Sequence, residues 1–370
     1  MQKHKKILLI HLFSNGDCLY ATAIAKQIKN DFPGCYLIWA ISSTCKNIIL
    51  NNPYVDETWE ILIPSSLENE NVFSNVISDA KNRKQNGQFD EIFVTQILGD
   101  NFSKYDSCVR TSIYRCYGKP LTVDKTPVLL LTAEEIEKAR AFASINKLNA
   151  FKNVVLFECA PQSGQANFND AFIKILSEEI IKIRDTCVIL SSAKKIDVKV
   201  SNVFDGSVLS IRETAALSHF CTLLIGCSSG ITWATYSTAA KQLPTLQLLN
   251  NNAYIYNPPS IAFDRIGEPC NLIIELFDFD VTRASACIST ILKEDFLKAR
   301  QLYNQPAKKQ FKIYRGITHS FLSKGKFSLL KNFIKLNIAV HGWNLSMLFK
   351  IFQGFILFPA QLVVNKIGKR

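Results

Sequence analysis

The chain has no Asp or Glu after Asp295, while residues 296–370 carry 14 of its 43 Lys and Arg. The formal net charge of +12 therefore sits in that last stretch, because residues 1–295 hold 29 basic against 31 acidic side chains. A near-neutral body excludes a basic nucleic-acid-binding domain, and the acid-free end points to an anionic surface. No CxxC pair occurs among the 11 scattered cysteines. Their odd number, in a chain this large, argues against a disulfide framework and for reduced thiols in a cytosolic compartment. His4, His11, His219, His319 and His341 show neither HExxH nor HxxxH spacing, so no protein-built metal site is expected. Neither GxGxxG nor a Walker A sequence is present, which removes those two phosphate fingerprints. The apolar start ILLIHLF is short, contains His11 and is followed too soon by Asp17, so it does not read as a signal peptide.

At 370 residues, two domains are the natural expectation. KKILLIHLF reads as a buried strand, CLYATAIAKQIKNDF as a helix with Leu19, Ala23, Ile24, Ile28 and Phe32 on one face, and CYLIWAI as a second strand. That βαβ unit implies a parallel sheet with a right-handed crossover. TWEILI and DEIFVTQI are further strand candidates, with a helix and loop between them. A boundary falls near 150, after a helix opened by a Thr132–Glu135 capping box. The same alternation then restarts with NVVLFECA, the helix FNDAFIKILSEEIIKI, strand TCVILSS, a second capping box from Ser210 to Glu213, strand CTLLIG, helix ITWATYSTAAKQL and strand TLQLL. The fold class is α/β, with two Rossmann-like units facing a cleft: residues 1–150 and 151–305, followed by a tail at 306–370.

Ligands of open parallel sheets bind beyond the carboxyl ends of the strands. Three loops lie there. In the first, Ser14-Asn15-Gly16-Asp17, Gly16 permits a tight turn and Asp17 serves either as a helix N-cap or as a general base. In the second, Cys227-Ser228-Ser229-Gly230-Ile231-Thr232 reads either as a phosphate cradle, its N–H groups and hydroxyls pointing outward, or as a plain capped turn. The third, Ser163-Gly164-Gln165, is equally a backbone anion nest or a simple turn, and Glu158 before it is a second carboxylate candidate. Asp278-Phe279-Asp280 imitates a DxD metal motif but has no neighbouring ligands and reads as a solvated turn.

IHLFSNGDCLYATAIAKQIKNDFPGCYLIWAIS, NNPYVDETWEI and SIRETAALSHFCTLLIGCSSGITWATYSTAAKQLPTLQLL together resemble glycosyltransferase family 9, the ADP-heptose:lipopolysaccharide heptosyltransferases, over roughly residues 5–250. The resemblance implies the two-domain GT-B fold. It also implies a metal-independent, inverting transfer of a heptose-like sugar from a nucleotide-diphosphate donor, with no cofactor. Asp17 takes the catalytic-base position, and Ser14, Asn15 and Gly16 form the acceptor-side loop. Ser228, Ser229, Gly230, Ile231 and Thr232 fall on the donor-diphosphate turn, supported by Ser163, Gly164 and Gln165. Ser228 stands where the family usually has Asp, Trp233 where it has His, and the stretch SGQANFN lacks the family's phosphate-pairing Lys. A nucleotide-sugar epimerase on the same fold and a non-catalytic, membrane-bound sugar-nucleotide-binding protein are the competing readings.

The tail extends past the resemblance. Its uncharged runs, 336–349 and 351–365, fall short of the ~20 residues of a spanning helix. Leu330, Phe333, Ile334 and Ile338 share one helical face beside Lys331 and Lys335, so a basic amphipathic helix on an anionic membrane surface is expected, with packing back onto the first domain as the alternative. This agrees with a lipid-linked glycan acceptor and with a peripheral location on the inner face of the cytoplasmic membrane.

Overall fold

The computed structural model describes residues 4–63, 68–161, 164–166, 168–253, 256–277 and 279–367, with side chains described as far as Leu357. β1 (Lys6–Ile10) is buried from Ile7 onward, as an unbroken apolar run requires. α1 (Asn15–Asp31) returns along the sheet, and β2 (Tyr36–Ser42) pairs parallel with β1, Lys6 opposite Tyr36 and Ile10 opposite Ala40. β3 (Glu57–Ile61), α2 (Asn69–Gln85) and β4 (Glu91–Val94) complete a four-stranded parallel sheet in the order β3-β2-β1-β4. The NPYVDE stretch fixes its edge: Asp56 accepts from the Leu37 N–H at 2.6 Å and pairs with Lys29. α3 (Val109–Cys116) and α4 (Ala133–Ile145) lead to the second unit, and the Thr132–Glu135 capping box forms in both directions.

The second unit runs β5 (Asn153–Glu158), α5 (Asp170–Ile181), β6 (Thr186–Ser191), β7 (Val203–Asp205), α6 (Ile211–Leu217), β8 (Leu223–Gly226), α7 (Gly230–Ala234), β9 (Thr245–Leu249), α8 (Pro259–Ile266) and β10 (Ile273–Phe277). Its strands form a parallel six-stranded sheet, β10-β9-β8-β5-β6-β7. The short β7 and the edge strand β10 were not expected from sequence. α7 is far shorter than the pattern ITWATYSTAAKQL predicts. Thr235 and Ser237 hydroxyls bond back to the carbonyls of Thr232 and Ala234, and the Thr238 N–H turns to the Pro127 carbonyl at 2.9 Å, so side chains and the first unit take over the helix's bonds. α9 (Val281–Lys293) and α10 (Phe296–Tyr303) close this unit. Asp280 caps α9 by accepting from the Arg283 N–H at 2.7 Å, while Asp278 lies outside the described residues.

Chain order reverses at two places. In the first sheet β1 lies between β2 and β4, and in the second β5 lies between β6 and β8. These are the switch points where an α/β sheet opens a crevice. The loop after β1 is at one, and Glu158 with the loop after β8 is at the other.

The tail folds onto the first unit as α11 (Tyr314–Ser323), α12 (Phe327–His341) and α13 (Leu345–Ile367). Leu330 and Phe333 are buried in the core that also holds α1 and β2, with Ile334 and Ile338 packed against it. The face expected to lie on a membrane is therefore used inside the protein. Asn337 explains the attachment: fully buried, it donates to the Tyr105 carbonyl at 2.9 Å and accepts from the Tyr314 hydroxyl. The apolar stripe left open is on α13, where Phe349, Phe352 and Ile356 are 57%, 59% and 56% exposed. Among the described residues no helix is long and apolar enough to cross a membrane.

Candidate active site

The loop after β1 is held from the neighbouring strand. Gln96, just past β4, accepts from the Leu12 and Phe13 N–H groups at 3.0 and 2.9 Å. Ser14 then takes a left-handed backbone, φ 70°, a conformation that side chains adopt at a cost and that clusters at functional loops. It precedes α1 without a side-chain cap bond. Asp17 is thus not the cap that the sequence allowed. It is the third residue of α1, in the first turn, where the helix dipole favours an anion. Its carboxyl is half-buried and makes no hydrogen bond among the described residues. Burial pushes its pKa from an ordinary 3.8 up to about 7, and the nearby Cys45 thiol adds to the shift. Cys45 itself is drawn down to about 6, chiefly by a hydrogen bond from Cys18. All 11 cysteines are unpaired.

The loop after β8 holds a surprise in its chemistry. Glu158, fully buried at the end of β5, turns its carboxylate into this loop. It accepts from the N–H groups of Cys227, Ile231 and Thr232 at 2.9, 3.2 and 3.3 Å, from the Thr232 hydroxyl at 2.6 Å and from the Ser229 hydroxyl. Ser228, also left-handed at φ 54°, donates its N–H to Gln247 Oε1 at 2.7 Å and its hydroxyl to the Asn257 carbonyl at 2.5 Å. So both donors of Ser228 and Thr232, the Ser229 hydroxyl and the Ile231 N–H, expected to face a diphosphate, already have partners inside the chain. The Ser229 and Gly230 N–H groups remain without one among the described residues. A glutamate carboxylate thus sits where the sequence reading put a diphosphate.

Of the third loop, Ser163 lies outside the described residues. Gly164 is left-handed at φ 69°. Gln165 is buried and its two oxygens accept from the Asn250 and Asn257 N–H groups at 2.8 and 3.2 Å. Through Asn257 it braces Ser228. It offers support to the second loop, not an anion nest of its own.

The two switch-point loops touch. A Cβ on Gly16 would lie 3.1 Å from Trp233 Cδ1, and one on Gly230 would lie 3.2 Å from Asn15 Cβ and 3.0 Å from Ile211 Cδ1, so a side chain at either position would press on the facing loop. Trp233 is buried here, its ring 4.8 Å from Tyr20 and 5.8 Å from Phe263. Beneath them sits a residue that sequence reasoning missed. Arg110 is buried with no carboxylate partner among the described residues, its guanidinium 5.1–5.9 Å from the rings of Tyr20, Trp233, Phe263 and Tyr114. Its Nε and Nη2 donate to the Tyr114 hydroxyl and the Lys125 carbonyl at 3.0 and 2.8 Å, and Nη1 has no partner among the described residues. Arg212, seen in sequence only as filler in a capping box, clasps the two units. It forks onto Glu135 at 2.6 and 2.7 Å and reaches the carbonyls of Leu130, Asn47 and Leu50. Among the described residues no group of His, Cys, Asp and Glu converges as a metal site.

The crystal structure of a family 9 glycosyl transferase from Veillonella parvula is similar over 79% of this chain and 90% of that one, with 14% identity and a TM-score of 0.55. The two share a fold. Two further structures are less alike. An ADP-heptose lipopolysaccharide heptosyltransferase II from E. coli has 12% identity over 79% of this chain and 99% of its own, TM-score 0.48. A putative UDP-N-acetylglucosamine 2-epimerase from Listeria monocytogenes has 10% over 88% and 98%, TM-score 0.49. No protein-family model and no curated protein matches the chain. The expectation of two Rossmann-like units, formed from the sequence, agrees with this likeness in fold.

Proposed function

We propose that the chain is a glycosyltransferase that moves a sugar, heptose-like in the leading reading, from a nucleotide-diphosphate donor to a hydroxyl of a lipopolysaccharide or other lipid-linked glycan. The observation that carries this reading is the Asp17 carboxyl: unpartnered among the described residues, shifted to about 7, and set at a switch point against the second unit's cradle. A base with a pKa near neutrality is matched to proton abstraction from an alcohol. In the reaction, the acceptor oxygen bonds to the anomeric carbon, the bond from that carbon to the diphosphate oxygen breaks on the opposite face, and Asp17 takes the hydroxyl proton. The configuration inverts. The leaving diphosphate would lie against the free N–H groups of Ser229 and Gly230, with no metal or cofactor in the scheme. The basic tail and the open stripe of α13 would meet anionic lipid at the cytoplasmic face of the membrane.

The test is Asp17→Asn, assayed as nucleoside diphosphate released from ADP-, UDP- and GDP-sugars with a lipid-glycan extract as acceptor. Loss of a general base should lower the rate by about 10²–10⁴-fold. A rate equal to that of the natural sequence would overturn the assignment.

Glu158 favours a second reading. A carboxylate already in the cradle takes amides and hydroxyls that would otherwise stabilise the leaving diphosphate, which suits a non-catalytic protein that holds a sugar nucleotide by other contacts without turning it over. A thermal-shift screen separates the two, because a ligand that binds the folded state stabilises it whether or not it reacts. A nucleotide sugar that stabilises the chain and is never consumed supports the second reading.

A further inference from the structure

A cavity of about 730 Å³ is walled by α3, the stretch up to Lys125, the end of α8, and α12 of the tail. Lys104, Arg115, Lys119, Lys125 and Arg265 line it, and no Asp or Glu does. Two of these cations are neutralised in part: Arg115 pairs with Asp106 at 2.8 Å, and Lys119 approaches Asp31 at 3.8 Å. Lys104, Lys125 and Arg265 pair with no carboxylate among the described residues; their contacts are to the carbonyls of Cys116 and Ile266 and to His341. Arg110, one residue from the lining Thr111, adds a fourth cation without a carboxylate just behind the wall.

The wall is built, not accidental. Arg115 is fixed from both ends, Nη1 donating to the Lys104 carbonyl at 3.0 Å and Nη2 to Asp106. His341, at the end of α12, donates from Nε2 to the Asp106 carbonyl at 2.9 Å. Its Nδ1 is then free to accept from Arg265 Nη2 at 3.4 Å. Asn332 of α12 supplies a neutral amide to the same wall. The tail thus does more than cover the first unit: it closes one side of the cavity and positions Arg265 on it. Cations gathered in a concave site without counter-charge raise the local potential and attract multiply charged anions. Lysine and arginine side chains are also the groups that recognise phosphate oxygens.

We infer that this cavity binds a multiply charged phosphate group, carried either by a soluble phosphate compound or by a phospholipid headgroup. It shares no lining residue with the loops at 12–17 and 227–232, so it stands whether or not the chain transfers sugars. The site is assayed by calorimetric titration of the full chain with inorganic pyrophosphate. Lys125→Gln and Arg265→Gln should each weaken binding about tenfold, the loss of one charge-assisted hydrogen bond. Lys125→Arg and Arg265→Lys should retain most of the affinity, which separates lost charge from lost structure. Lys174→Gln, exposed on α5, should change nothing. For the source of the phosphate, the chain is sedimented with phosphatidylcholine vesicles with and without phosphatidic acid, whose headgroup is a phosphomonoester. A headgroup occupant makes Arg265→Gln reduce sedimentation, with pyrophosphate releasing the bound protein. A soluble occupant leaves sedimentation unaltered while pyrophosphate affinity still falls in the variants. Absence of pyrophosphate binding, or binding that Lys125→Gln and Arg265→Gln leave intact, overturns the inference.

Discussion

Replacing Glu158 with alanine tests the arrangement at the second loop most directly. The carboxylate accepts three N–H groups, from Cys227, Ile231 and Thr232, and two hydroxyls, from Ser229 and Thr232. The hydroxyls can rotate to other acceptors, but the three amides are fixed by the chain. Each buried donor left unmade costs about 1–3 kcal/mol, and water entering the space recovers part of that, so Glu158→Ala should lose about 3–5 kcal/mol. That is a large part of the ~5–15 kcal/mol that holds a domain folded. Vacating the carboxylate also opens the cradle to an outside anion. In an Arg265→Gln background, where the basic cavity is weakened, pyrophosphate at about a hundred times its dissociation constant should restore ~2.7 kcal/mol to Glu158→Ala and little to Glu158 itself. Urea unfolding followed by circular dichroism, with and without pyrophosphate, measures both effects. The reasoning is refuted if Glu158→Ala unfolds at the same urea concentration as the natural sequence, or if pyrophosphate stabilises both to the same extent.

The Asp17 carboxyl should give transfer a pH profile that rises through about 7 and then levels, since the base acts only after losing its proton. Because its folded pKa lies above the ordinary 3.8, the folded state keeps a proton that the unfolded chain has lost, and Asp17's contribution to stability falls as pH rises between those values. Asp17→Asn should therefore be more stable at pH 8, by about 1–2 kcal/mol after discounting for partial exposure, while being inactive; equal stability there contradicts the shift. Arg212→Ala removes a fork onto Glu135 at 2.6 and 2.7 Å and should cost about 3 kcal/mol in thermal or urea unfolding. Burial raises the Glu135 carboxyl, but Arg212 and the Thr132 N–H outweigh it and hold it low, so this stability is present above the usual carboxyl range, is lost in acid, and should be missing from the acid limb of the variant. Gly230→Ala, whose Cβ would lie 3.2 Å from Asn15 Cβ and 3.0 Å from Ile211 Cδ1, should press the two loops apart and lower the rate of transfer; an unchanged rate would show that their close approach is not needed.

What could be read from sequence was local. The apolar runs of β1 and β2, the two capping boxes and the glycine in each switch-point loop all declare themselves within a few residues. Glu158 could be named as a strand-end carboxylate, but its role could not. Its partners are 69 to 74 residues away, and they meet only because β5 and β8 are neighbours in the sheet. Arg110 and Trp233 form one cluster from separate units, and neither carries a local signal. The tail shows the opposite failure. The face made by Leu330, Phe333, Ile334 and Ile338 was correctly read as amphipathic, yet periodicity does not say what covers an apolar face. Buried Asn337 decided it in favour of protein.

The contact between the two loops bears on how Asp17 could act. Among the described residues no hydrogen bond joins 12–17 to 227–232; Gly16 and Gly230 meet through van der Waals contact. The polar ties between the units include the Arg212 clasp, the Lys138–Glu213 ion pair, Thr238 with Pro127 and Leu129, and the Asn257–Tyr20 bond. Parting the glycine faces breaks no hydrogen bond between the two loops, whereas breaking the clasp strands a buried charge at several kcal/mol. The units should therefore open by pivoting on Arg212 rather than by separating. Opening would also return water to Asp17 and let its pKa fall, since burial is the main cause of the rise. A carboxylate is the stronger base the higher its pKa, so Asp17 is best suited to take a proton when the loops are together. The close approach of Gly16 and Gly230 is then part of what makes the base, and not only an obstacle to the donor.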